Sequence, residues 1–459
     1  MKRPPSKDIN ACLAYIDSYW DKIIHRPARK KVNRHSIDIP HPYFVPNHKK
    51  FNFIFYWDSF FMFRGLMGTG RETILKDMVD NFIYLYERYH IIPNFNAPAS
   101  MGRSQPPFLS SMILDAYAMF ERTKTIGRKA RKFLVQAVYQ KDPDKVWLKS
   151  AMDAAKREYY NVWLDPQNLY HHQVEGYGLQ RYGDRDLGYA HSSELESGWD
   201  FTSRFYNRCS EFLPIDLNTY LYTYKINFAK TGEILDIPQQ KEYWMEKKEA
   251  RKDAINKYMW NEKEGFFFDY NYYYGRQSEF ISLAGFTPLW AGLATQAQAQ
   301  KMVKKLSSFE TPFGLTITAK ESLAPKLNLS AIPLRYRPAV EAVLRPKQWD
   351  YPYIWPPLEY LTVIGLLRYG FTTEAARVMK NAIDTQANIF KRYSTLYERI
   401  NGETGDRAKS FHYHLQPGFG WTNAIFYRYV QILKALKNKQ NIYKRPKAKT
   451  PPFDLAILH

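Results

Sequence analysis

The sequence predicts an all-α fold, an (α/α)6 barrel of six helical hairpins closed into a ring, with loop hairpins at one mouth. Three observations lead there: a recurring helix–tight turn–helix unit, apolar stripes at helical spacing, and no Ser/Gly-rich linker to divide the 459 residues.

The unit recurs along the chain. Gly65–Gly70 is followed by the helical stretch Arg71–Tyr89, Gly292–Thr295 by Gln296–Leu306, and Gly365–Gly370 by Phe371–Ile383. In each case an apolar helix runs to a glycine, which can take the left-handed conformation that ends helices, and a polar first turn opens the next. Ile74, Leu75, Met78, Val79, Phe82, Ile83 and Tyr86 step by three and four, forming one stripe. Tyr220–Lys230, closed by Thr231-Gly232, forms a fourth unit. The repeats are weakly alike and irregularly spaced, which fits a closed toroid better than a regular solenoid. The aromatic run Gly265–Tyr274 is expected as a loop hairpin at the mouth. The expected division is an N-terminal helical extension (1–35), the barrel (36–435) and a basic C-terminal tail (436–459). Functional residues should lie at helix junctions at one end.

Composition narrows the class. The 36 Tyr, 29 Phe and 11 Trp exceed what a core alone requires, and Tyr and Trp suit the mixed CH and OH faces of a sugar. Two cysteines, Cys12 and Cys209, exclude a disulfide framework and are compatible with a reducing compartment. The basic N-terminus lacks the apolar stretch of a secretory signal, and no run reaches a membrane span. The expectation is a soluble cytoplasmic protein with no membrane partner. The charge of +21 would attract anions. Its clusters, Lys124–Lys132 and Lys434–Lys449, carry no nucleic-acid-binding signature, so solvated faces are expected and nucleic acid is not a partner. His171-His172 has no spaced partners and reads as surface or core. No phosphate loop, dinucleotide fingerprint or nucleophile elbow is present. No metal and no cofactor are expected, and the oligomeric state is open.

Carboxylates among aromatics are the candidates for chemistry, because burial raises a carboxyl pKa toward that of a working acid. Four stand out: Asp58 after Tyr56-Trp57, Asp200 after Gly198-Trp199, Asp350 after Gln348-Trp349, and Glu398 after Tyr397. Cleavage of a glycosidic bond with inversion needs two such groups roughly 6.5–9.5 Å apart, one protonated and one ionised.

Five segments, in order over residues 45 to 425, resemble the trehalase family of inverting glycoside hydrolases. Glu196–Phe205 (ESGWDFTSRF) with Ile215–Asn218 matches ESGWDFSSRW with VDLN. Gln348–Pro352, Trp355–Pro357 and Gly365-Leu366 resemble the second signature, QWDxPxGWxP with GL. Arg103–Pro107 matches RSQPP, Gly418–Asn423 is identical to GFGWTN, and Tyr56–Ser59 resembles the YYWDSY segment. Tyr397–Gly405 is also similar to the E-Y-x-N-P-x-T-G of bacterial glucosyl- and mannosylglycerate hydrolases, relatives with the same barrel.

The resemblance implies Asp200 as general acid and Glu398 as general base. It implies sugar contacts at Trp57, Asp58, Asn94, Arg103, Gln105, Trp199 and Trp349, with Arg185 (or Arg181) as a further substrate arginine and Arg204 structural. The chain departs from the family pattern in three places. Lys50 stands where an arginine is expected, keeping the charge and losing the planar fork. Asn96–Ser100 lacks the arginine and tyrosines of N-R-x-Y-Y. Ser410–Tyr413 replaces a glycine-rich lid, with His412 in place of a substrate-contacting glutamate. The expected reaction is hydrolysis of α,α-trehalose to two glucose molecules. The alternatives are another small α-glucoside or α-mannoside, such as glucosylglycerate or mannosylglycerate, and a non-catalytic sugar-binding protein.

Overall fold

The computed structural model describes residues 6–27, 35–131, 142–185, 192–323, 333–336, 346–409 and 413–443; for 6, 121–131, 192 and 439–443 only the backbone is described. Thirteen helices account for most of the described chain. They are α1 (Ser6–Ile23), α2 (Tyr56–Leu66), α3 (Thr73–Tyr89), α4 (Leu109–Arg131), α5 (Pro143–Glu158), the short α6 (Ser192–Glu196) and α7 (Ile215–Ile234). Then follow α8 (Pro238–Met259), α9 (Thr287–Trp290), α10 (Gln296–Met302), α11 (Pro356–Arg368), α12 (Thr372–Tyr393) and α13 (Gly420–Tyr443).

Burial sorts these helices into two layers. In α2 every residue but Arg64 is buried, and Pro356–Leu366 of α11 is buried on all sides. Helices α3 and α12 bury one stripe, with Ile74, Leu75, Met78, Val79 and Phe82 in the first. A helix apolar on one face belongs outside, and one apolar all round belongs inside. Contacts run α2–α4–α7–α9–α11–α13 and back to α2, which closes the inner ring. Close approach in that ring depends on two glycines. A Cβ on Gly65 would lie 2.3 Å from Cα of Ala424, and one on Gly365 would lie 2.7 Å from Cβ of Leu289. The left-handed turns that end the units fall instead at Gly70, Gly292 and Gly370.

Helix α1 was expected as an extension, yet it packs on α12 and α13 and buries Cys12, Ile16, Tyr19, Trp20 and Ile23. It supplies an outer helix of the ring. Helix α13 runs to Tyr443, beyond the expected start of the tail, and residues 444–459 lie outside the described residues, as do the side chains of the 124–132 cluster.

The strands are two-residue pieces on the loops. The aromatic run forms three pairings: Phe266–Phe267 with Trp260–Asn261, and Tyr270–Asn271 with both Phe212–Leu213 and Arg276–Gln277. Tyr353–Ile354 pairs with Ile400–Asn401, which brings the segment after Trp349 beside the one after Glu398. The N-termini of α2, α11 and α13 meet through Trp57, Trp355 and Trp421. No described helix is long and apolar enough to cross a membrane.

Candidate active site

Asp200 sits in a turn forced by two left-handed residues, Gly198 at φ 74° and Phe201 at φ 63°. A Cβ on Gly198 would stand 2.7 Å from the Trp57 ring, so glycine is required for conformation and for contact. Three buried anchors fix the turn. Glu196 accepts from the backbone N–H of Ser104 (2.9 Å) and Gly183 (2.7 Å), with His172 Nε2 at 2.9 Å, so it pins three loops. His172 is therefore a core residue, and its Nδ1 lies 2.7 Å from the Val162 carbonyl.

Asp350 is the second anchor. It accepts from Ser203 N (2.8 Å), Ser203 Oγ (2.7 Å), Thr202 Oγ1 (3.1 Å) and Lys347 N (2.8 Å). Arg204 is the third, fully buried between Asp216 and Asp269 with hydrogen bonds of 2.7–3.0 Å to both. A buried guanidinium needs such a pair of carboxylates to offset its desolvation.

Glu398 is 2% exposed on the facing loop. Arg399 Nη1 donates to its Oε2 at 2.5 Å and Tyr413 donates to its Oε1 at 2.7 Å. Trp421 Nε1 donates to its backbone carbonyl at 2.9 Å, tying the loop to the start of α13. A chain of ring contacts links the two loops. Arg204 lies 4.6 Å over Trp199, which touches Trp349; Trp349 stacks on Trp355 at 3.6 Å, and Arg399 lies 5.0 Å over Trp355.

The carboxylates feel one another's charge. Asp200 keeps some access to water but is walled by protein, and burial together with the charges of Glu194 and Glu398 pushes its pKa up to about 7, against the pull of Arg103. Burial also raises Glu398, while Arg399, the Tyr413 hydrogen bond and Lys50 draw it back down. Asp58, 4% exposed in the first turn of α2, is raised well above the usual range by burial, then by Glu398, and further by Asp200. One group that holds its proton near neutrality, facing a carboxylate clamped by a cation, can serve acid–base cleavage.

The other expected contacts divide. Lys50 is exposed, with Nζ 5.3 Å from the Tyr413 ring and its charge felt by Glu398. Arg103 donates to Asp184 at 2.5 Å and reaches Asp200 with its charge. Gln105 accepts from Trp57 N at 3.1 Å, capping α2. Asn94 uses its Nδ2 on the carbonyls of Ser104 and Leu195, so it braces loops with the group expected to hold a hydroxyl. Trp57 and Trp349 are each 2% exposed within the tryptophan cluster. Trp199 is fully buried beneath Arg204 and against Trp349, so it has no surface for a sugar and its expected contact does not hold. Arg185 is exposed; its backbone N–H donates to Gly102 O, and Tyr170 feels its charge. Arg181 is engaged by the His171 and Ser210 carbonyls. His412 lies outside the described residues.

The residues missed from sequence are Tyr413, Arg399 and Glu194. Glu194 is 1% exposed; it accepts from Thr202 N at 2.8 Å and raises Asp200. It lies two residues before the recognised motif, where nothing in the sequence singles it out.

Known proteins resemble this chain over most of its length. A probable trehalase of Eremothecium gossypii is 30% identical over 87% of this chain and 58% of its own length. The cytosolic neutral trehalase of Saccharomyces cerevisiae is 31% identical over 84% of this chain and 56% of its own. The chain thus spans a little over half the length of these curated relatives. Among solved structures, neutral trehalase Nth1 from Saccharomyces cerevisiae superposes with a TM-score of 0.67 at 27% identity, covering 91% of this chain and 79% of that one. A GH63 mannosylglycerate hydrolase from Thermus thermophilus in complex with glucose shares the fold, with a TM-score of 0.58 at 16% identity over 91% of this chain and 99% of that one. The trehalase family profile matches residues 2–434, nearly the whole sequence, and this chain belongs to the trehalase family.

Proposed function

We propose that the chain is an inverting glycoside hydrolase that cleaves α,α-trehalose to two glucose molecules. Asp200 protonates the glycosidic oxygen, and Glu398 removes a proton from the water that attacks the anomeric carbon from the opposite face. The observation that carries this is the contrast between the two acids: one kept protonated near neutrality, the other held by a guanidinium and a phenol. Asp58, Arg103, Gln105 and Trp57 would hold the glucose that is cleaved, and no cofactor takes part. The relatives' printed names support the substrate and a cytosolic site of action.

A second reading, hydrolysis of a glucosyl- or mannosylglycerate, is supported by Lys50, whose exposed ammonium beside Tyr413 would suit an anionic leaving group. Anomer-resolved NMR with trehalose and glycerate glycosides tests both. Initial release of one α- and one β-glucose from trehalose is expected. Turnover of the glycerate glycoside alone would replace the first reading with the second.

A further inference from the structure

Arg103 and Asp184 form an ion pair beside the carboxylate cleft. Arg103 Nε donates to Asp184 Oδ2 at 2.5 Å, with the aspartate side chain 1% exposed and the arginine side chain 20%. The chain is pinned on both sides of the acid. Gly183 N–H donates to Glu196 Oε2 at 2.7 Å, at the start of the Asp200 turn, and Arg185 N–H donates to the Gly102 carbonyl at 2.9 Å, next to Arg103 itself. A Cβ on Gly102 would stand 3.3 Å from Asp184 Oδ1, so glycine leaves the carboxylate room to lie against the backbone that carries Arg103.

The backbone of Arg103 is held as firmly. Its N–H donates to the Ser100 carbonyl at 3.3 Å, and its carbonyl accepts from Asn94 N at 3.1 Å. The ion pair uses the Nε–H of the guanidinium, and neither Nη has an acceptor among the described residues. Asp200 feels the charge of this cation, so its free edge stands near the acid. An arginine side chain loses much rotamer freedom when it is ordered. Ordering it before a ligand arrives removes that loss from binding.

We propose that Asp184 is a positioning residue for substrate recognition: it holds Arg103 by Nε, so that both Nη groups are presented to the glucose that is cleaved. This rests on the function proposed above, in which Arg103 holds that glucose. The competing account is that the pair only clasps the 181–185 segment to the loop of Arg103. The backbone bonds of Gly183 and Arg185 already serve that end.

Steady-state kinetics of the full chain decide between them, with whichever glycoside the unaltered chain cleaves. Asp184→Ala should raise KM about tenfold or more and change kcat less than about threefold, because a loosened guanidinium weakens ground state and transition state alike. Asp184→Asn keeps the shape and an acceptor oxygen, so it should raise KM only about threefold. In an Arg103→Gln background either substitution should change KM by less than about twofold, since the group being positioned is gone. Asp184→Asn carries the comparison alone should Asp184→Ala fail to fold. A clasp would instead loosen the segment tied to the Asp200 turn, lowering kcat, and its effect would persist without Arg103. Full additivity of the two sites, or kcat lowered with KM intact, overturns the proposal. An unaltered chain that cleaves no glycoside overturns the function proposed above and this inference with it; an active chain with additive variants overturns this inference alone.

Discussion

Tyr413 donates its hydroxyl hydrogen to Glu398 Oε1 at 2.7 Å, and Gln348 Nε2 donates to the same hydroxyl oxygen at 3.2 Å. The relay fixes the direction of the phenolic hydrogen. With Arg399 on Oε2, both oxygens of Glu398 are held, and both bonds favour its ionised form. A general base needs this, because burial pushes the Glu398 pKa up, toward the protonated form.

Tyr413→Phe should therefore act through pH. A hydrogen bond to a charged group contributes about 1.5–3 kcal/mol, and one pKa unit corresponds to about 1.4 kcal/mol. Losing the bond raises Glu398, so the acidic limb of kcat/KM should move up by roughly one pH unit or more. Activity on the alkaline side of the optimum should change little. A pH–rate profile of the variant checks both limbs, and an unmoved acidic limb would show that the phenol does not tune the base.

The alkaline limb is expected to report chiefly on Asp200, the proposed proton donor. As the proton donor it must be protonated, so activity should fall as pH rises through about 7. The Glu194 charge contributes to that raised value, so Glu194→Gln should lower the Asp200 pKa and move the alkaline limb to lower pH. Asp58, Asp200 and Glu398 titrate as a coupled set, so the limbs report the group as a whole. The variant keeps an oxygen for Thr202 N, which separates the charge effect from loss of the turn. A limb that stays in place with Glu194 neutralised would remove it from the account.

The ring of helices was legible because burial leaves a period: a stripe at three and four marked α3, and glycines marked the turns before α3, α10 and α12. Asp58, Asp200 and Asp350 stood out in the sequence because each follows a Trp, and Glu398 because it follows Tyr397. What a side chain does once it arrives was not legible. Asn94 and Trp199 have residue types suited to a sugar, yet backbone carbonyls take the amide of the first and Arg204 covers the second. Tyr413 gains its role from a partner 15 residues away, across a loop whose path no periodicity encodes. Helix α1 resembled an appendage because its partners, α12 and α13, lie at the far end of the chain.

Gly198 admits no side chain. Alanine there would occupy a left-handed backbone at a cost of about 1–2 kcal/mol, and its Cβ would meet two atoms of the Trp57 ring at 2.7 Å. The ring cannot retreat, since it contacts Trp349 and Trp421. Gly198→Ala should lower unfolding free energy by about 2–4 kcal/mol in urea titration and reduce kcat more than tenfold. Stability and kcat both at wild-type values would mean the turn is looser than its geometry implies.

Asp350→Ala tests whether the second signature acts through the first. The carboxylate is fully buried and serves four donors, three of them on Thr202 and Ser203, within three residues of Asp200. Removing it strands buried N–H and O–H groups at about 1–3 kcal/mol each, so a loss of about 3–5 kcal/mol is expected once the site relaxes. Asp350→Asn keeps the shape and one acceptor oxygen but turns the other position into a donor facing donors, so it should recover only part of that loss. If Asp350 only positions the turn, both variants should lower kcat with a small change in KM, since no hydroxyl contact is removed. A KM raised tenfold with kcat intact would instead put Asp350 in contact with the sugar and contradict its assignment as an anchor.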